Sequence, residues 1–78
     1  MNDITLNQLH PGESGVVEKL ITAEPQLRMR LLELGLLKGT QVEIIRYAPL
    51  GDPIEIKVRG YRLSIRKIEA ESVIISRN

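Results

Sequence analysis

Few residues in this chain have the type or spacing that covalent chemistry needs. His10 is the sole histidine and cysteine is absent, so no tetrahedral nitrogen–sulfur ligand set can be assembled. His10 stands beside Pro11-Gly12 and reads as an exposed turn residue. Ser14, Ser64, Ser72 and Ser76 would all depend on that one imidazole for activation. Asp52 and Glu55 are spaced like hairpin residues and carry no sign of an acid–base pair. Leu37-Lys38-Gly39-Thr40 lacks the upstream glycine and the Gly-Lys order of a phosphate loop. The expectation is a chain that is not an enzyme, with no catalytic residue, no cofactor and no resident metal. Its function is then to bind.

Three stretches could carry that binding. In Arg28-Met29-Arg30-Leu31-Leu32-Glu33-Leu34, a leucine stripe explains Leu27, Leu31 and Leu34 but leaves Met29 and Leu32 on another face. Methionine is an adaptable contact residue, so those two point to a partner helix or to a homo-oligomer, although scattered surface apolar residues also occur without a role. In Ala48-Pro49-Leu50-Gly51-Asp52-Pro53, two prolines stiffen a loop that holds Leu50 and Asp52 at its tip. A pre-ordered loop binds with little ordering cost; the plainer reading is a stiff hairpin connection. In Lys57-Val58-Arg59-Gly60-Tyr61-Arg62, Gly60-Tyr61 suits a two-residue turn with glycine first. That register pairs Val58 with Leu63, Ile56 with Ile65 and Glu55 with Arg66, and sets Arg59 against Arg62. Opposed like charges weaken a hairpin. A solvated edge tolerates them, and so does an acidic partner. The expected partner-binding set is therefore Met29, Leu32, Leu50, Asp52, Arg59 and Arg62.

These stretches need positioning elements. Pro25 suits a first helical position and Gly35 the residue beyond a helix end, which predicts a helix over 25–34. Elsewhere the pattern is β: Ile4–Leu6, Gly15–Leu20, Thr40–Tyr47, the alternating Ile54-Glu55-Ile56-Lys57-Val58, then Leu63–Ile65 and Val73–Ile75, with Glu69-Ala70-Glu71 as a polar turn. Short strands with one helical insertion predict a mainly β fold, a small SH3-like β-barrel of about five strands, with an OB-like barrel as the topological alternative. Closure would remove exposed strand edges. The expected core is Val16, Leu31, Leu34, Val42, Ile44, Ile56, Val58, Leu63, Ile65 and Val73.

Composition sets the bounds. With 78 residues there is room for one domain, 1–78. A net charge of +1 lacks the basic excess of a general nucleic-acid binder, so no nucleic acid is expected. No apolar run approaches a membrane span, and Met1-Asn2-Asp3-Ile4 has no basic, then apolar, signal pattern. A cytoplasmic protein is expected, one that meets a membrane only through a partner.

Taken in order, Leu6, Leu9, Pro11-Gly12 and Gly15-Val16-Val17, then Arg30-Leu31, Leu34-Gly35-Leu36 and Gly39, then Ala48-Pro49-Leu50-Gly51-Asp52-Pro53-Ile54, then Arg59-Gly60, Leu63-Ser64-Ile65-Arg66 and Glu69-Ala70, resemble the FeoA family over essentially the whole chain. The resemblance implies an SH3-like barrel and a cytoplasmic accessory role in ferrous-iron uptake. It implies FeoB, the GTPase-coupled ferrous-iron permease, as partner, bound through its cytoplasmic region and modulated in activity or assembly. The same module also resembles the C-terminal domain of DtxR-type repressors, here without a helix-turn-helix before it. Two alternatives stay open: a small nucleic-acid-binding barrel, and a metal-linked regulatory domain.

Overall fold

The computed structural model describes residues 3–78; the reading of Met1 and Asn2 as free of a signal pattern lies outside them. Among these residues six strands form one antiparallel sheet: β1 (Asp3–Thr5), β2 (Ser14–Leu20), β3 (Gln41–Tyr47), β4 (Ile54–Val58), β5 (Tyr61–Ile65) and β6 (Val73–Arg77), in the order β1-β6-β2-β3-β4-β5. The expected count of about five is thus one short. The ladder also leaves β1 and β5 as edges instead of closing on itself. No helix among the described residues is long and apolar enough to cross a membrane.

Two bulges bend the sheet around its core. In β2 the partner of Val17 is Ile75 and that of Lys19 is Ile74, so Glu18 is the extra residue. In β3 the partners of Ile44 and Arg46 are Ile56 and Glu55, which leaves Ile45 over. Each bulge kinks its strand and increases the local twist. Inside lie Leu6, Leu9, Val17, Leu31, Leu36, Val42, Ile44, Ile54, Ile56, Val58, Ile65, Ala70, Val73 and Ile75. The expected core therefore holds at Leu31, Val42, Ile44, Ile56, Val58, Ile65 and Val73. Leu34 and Leu63 are half-buried, the latter packed on the core. Val16 is a correction: it pairs with Gln41 and Ser76 and is half-buried, while Val17 fills the interior. Slipping by one residue in a strand exchanges the faces.

The helix α1 spans Pro25–Glu33, with Pro25 in its first turn. At its end Leu36 N–H donates to Leu31 O at 3.1 Å and Gly35 N–H to Leu32 O at 3.0 Å. This double bond pattern satisfies orphan carbonyls of the last turn and carries Leu36 back beside Leu31 in the core. The polar turn expected at 69–71 is instead a second short helix, α2 (Lys67–Ala70), whose Ala70 is buried.

Candidate interaction surface

The β4–β5 hairpin turns at Arg59-Gly60, not at Gly60-Tyr61. Both residues have positive φ, 54° and 83°, the signature of a type I′ turn, whose twist matches the strands it joins. Val58 consequently pairs with Tyr61, Lys57 with Arg62, Ile56 with Leu63, Glu55 with Ser64 and Ile54 with Ile65. The expected pairs of Val58 with Leu63 and Arg59 with Arg62 are corrected by two positions, an even shift that leaves each residue on its own face. A like-charged pair survives with different members, Lys57 against Arg62. Glu55 relieves it: its carboxylate accepts from Arg46 Nε at 2.8 Å and lies 3.9 Å from Arg62 Nη1.

The β3–β4 loop is tied by Ala48 N–H to Pro53 O at 3.0 Å and Gly51 N–H to Ala48 O at 2.7 Å. These bonds hold Leu50 outward, 97% exposed. Asp52 does a different task from its neighbour. Its Oδ1 accepts the Lys67 N–H at 3.0 Å, so the loop root is fastened to the first turn of α2. Pro53 and Ser64 border one shallow cleft, together with Ala48 and Pro49. The Leu50 loop and β5 are thus neighbours; the Arg59-Gly60 turn stands at the other end of β4 from that loop, and Leu50, Asp52, Arg59 and Arg62 are all exposed.

The two helix residues part company. Met29 is exposed at 58%. Leu32 is half-buried and lines a cleft of about 530 Å³ between α1 and β2, over Val17, Leu20 and Leu36, with Arg28, Lys19 and Lys38 at its rim. Sequence reasoning passed over Tyr61 and Ile68, exposed at 75% and 69%. The alternation through Leu63 and Ile65 would point Tyr61 inward, yet it flanks the turn at the end of β5 and is exposed, although its partner Val58 is buried.

Three titrating groups are perturbed. The backbone N–H of His10 holds Glu13 below the ordinary carboxylate range; desolvation opposes it, and the His10 side chain and Arg77 assist. Burial pushes the Tyr47 phenol up, and the charge of Glu13 adds to it. Its hydroxyl lies 2.6 Å from Leu9 O and 3.0 Å from Asn7 O, donating to one at a time and tying β3 to the turn after β1. Burial also pushes Glu69 up, but the Arg66 N–H and the bond and charge of Arg30 outweigh it, and the carboxyl sits low. Each of the three groups is hydrogen-bonded within the fold. Among the described residues no group of three or more His, Asp or Glu is placed to hold a metal ion.

The FeoA domain model matches residues 4–77. This chain belongs to the FeoA family. A FeoA-like protein of Clostridium acetobutylicum is 32% identical and superposes with a TM-score of 0.90 over 99% of this chain and 88% of its own. The FeoA of Stenotrophomonas maltophilia, crystallised with zinc and described as a procaryotic SH3 domain protein, is 32% identical with a TM-score of 0.81 over 94% of this chain and 89% of its own. The FeoA fold is accordingly the SH3-like one expected. A Fe(2+) transport protein A/Fe(2+) transporter FeoB fusion protein of Porphyromonas gingivalis is 30% identical over 68 residues, 87% of this chain. The chain spans only 8% of that relative's length. A manganese-dependent transcriptional repressor reaches a TM-score of 0.90 at 14% identity, which shows a shared fold alone.

Proposed function

We propose that this FeoA-family chain is a non-enzymatic accessory module of ferrous-iron uptake, which binds the cytoplasmic region of the permease FeoB and modulates its transport. The observation that carries this reading is the Porphyromonas gingivalis fusion, in which a segment alignable with 87% of this chain shares one polypeptide with a FeoB transporter. Covalent linkage sets a high local concentration of one module beside the other. A small domain kept there acts most directly on its neighbour.

The surface supports a docking role. Leu50 is held out of its own core by a bonded loop, so a partner that covers it gains apolar burial worth about 1.5–3 kcal/mol at little ordering cost. Arg59 and Arg62 lie exposed on the adjoining hairpin and favour an acidic contact. The test is a pull-down from native membranes with the tagged chain. Recovery of the permease supports the reading. Absence of the permease, with micromolar binding to RNA or duplex DNA that weakens steeply with salt, would replace it with the nucleic-acid reading.

A further inference from the structure

The strand β5 ends the sheet, and among the described residues no strand lies beyond it. Its unpaired side follows from the turn. A type I′ turn at Arg59-Gly60 bonds the Tyr61 N–H to the Val58 carbonyl, and antiparallel pairs then alternate between bonded and non-bonded. Tyr61, Leu63 and Ile65 spend their backbone groups on β4, whereas Arg62 and Ser64 direct N–H and C=O away from the sheet. The β4–β5 ladder runs through five pairs without a register shift, while the β3–β4 ladder beside it and the β2–β6 ladder further along the sheet carry bulges. No proline interrupts it. Only charge guards this edge.

That charge is one-sided. Arg59, Arg62, Arg66 and Lys67 are all exposed along or beside β5. Three of the nearby acids are engaged: Glu55 with Arg46 and Arg62, Glu69 with Arg30 and the Arg66 N–H, Asp52 with the Lys67 N–H; the fourth, Glu43, is half-buried on β3 opposite Lys57, two strands in from the edge. A second copy of the chain on this edge would bring the same arginines against their duplicates, which disfavours self-pairing. The cations that exclude a copy admit a segment of opposite sign.

We propose that β5 is a docking edge, which accepts an extended acidic segment of the partner as an added strand. Main-chain bonds to Arg62 and Ser64 supply the register, and the flanking cations select the charge. The added strand would run between the hairpin tip and the root of the Leu50 loop. Naming the permease as source of that segment rests on the function proposed above; the edge itself does not.

Amide hydrogen exchange on the intact chain tests this, with a short blocked peptide alternating glutamate and valine as probe. In the free protein the Arg62 and Ser64 amides exchange fast and that of Leu63 slowly. The peptide should slow both by about tenfold or more, and the same peptide N-methylated at alternate residues should not. Ser64→Pro removes an N–H the hairpin does not use, so it should fold, as proline is tolerated on edge strands, and lose the peptide. Arg62→Glu should exchange preference from the glutamate peptide to a lysine–valine one. The proposal is overturned if the N-methylated peptide binds as well as its parent, if millimolar peptide leaves both amides unprotected, or if they are already protected in a concentration-dependent manner by a second copy. A permease recovered equally by Ser64→Pro sinks the edge and spares the function. A peptide that docks on a chain retrieving no permease does the reverse.

Discussion

Arg30 and Glu69, 39 positions apart in the chain, meet at 2.8 Å between Nε and Oε2. The other carboxylate oxygen accepts the Arg66 N–H at 2.9 Å, the returning half of a capping box. One side chain, 13% exposed, therefore starts α2 and fastens it to the last turn of α1. Glu69→Ala should cost about 1–2 kcal/mol, as loss of a cap does, while Arg30→Ala should cost about 0.2–1 kcal/mol, as a half-exposed ion pair does. Chemical denaturation of the two variants orders them; a larger loss from Arg30→Ala would contradict the capping role.

The same carboxylate sets an acid limb. Glu13 and Glu69 are both held below the ordinary value of 4.5, so the unfolded chain takes up their protons first. Their contribution to stability is complete above 4.5 and is lost as pH falls through the depressed values. Thermal melts across that range should show stability dropping on acidification, with a shallower drop for Glu69→Gln. An unchanged slope in that variant would mean that Glu69 titrates alike folded and unfolded.

Packing offers a sharper check on β2. Val17 is buried and Val16 is not, so Val17→Ala should cost about 1.5–3 kcal/mol and Val16→Ala less than about 1 kcal/mol. Ile56→Ala, deep in the core, should cost about 2–5 kcal/mol. Equal losses at 16 and 17 in urea titrations would contradict the bulge at Glu18.

That bulge also marks where the sequence was legible and where it was not. The clean alternation of Ile54, Ile56 and Val58 dictated both strand and face, and the proline and glycine around α1 marked its ends. Val16-Val17 offered two equivalent parities, and the choice between them is made by an extra residue that only the pairing with β6 reveals. Leu6, Leu9 and Leu36 sit in turns and caps, where no period exists to read, yet all three are buried. The exposed Leu50 was legible because proline restraint is local. The position of the turn at Arg59-Gly60 was not, since an arginine with positive φ is a poor prior expectation.

That arginine gives a further prediction. A non-glycine residue in the left-handed region costs about 1–2 kcal/mol, and asparagine is the preferred residue before glycine in this turn. Arg59→Asn should therefore raise stability, by up to about 1 kcal/mol, while weakening partner binding. A less stable variant would mean that the Arg59 side chain has a structural role in the fold.

Gly15 lies on β2 opposite Arg77 of β6. A Cβ there would stand 2.7 Å from Ser76 O and 2.9 Å from Ile75 Cδ1. The methyl can yield, but the backbone oxygen belongs to the β2–β6 ladder. Gly15→Ala should destabilise by about 1–3 kcal/mol, read from its melting curve; a neutral outcome would place the two strands further apart.

The central claim is that this chain acts by docking on FeoB, with Leu50 at the contact. The most direct measurement is retrieval of the permease from native membranes by the wild-type chain and by Leu50→Ala at equal levels. Leu50 supports nothing in its own fold, being 97% exposed, so the variant should melt within about 0.5 kcal/mol of wild type. Loss of its burial against a partner should weaken retrieval by about tenfold or more, with ferrous-iron uptake falling in parallel. Failure of the wild-type chain to retrieve the permease, or undiminished retrieval by Leu50→Ala, would contradict the account.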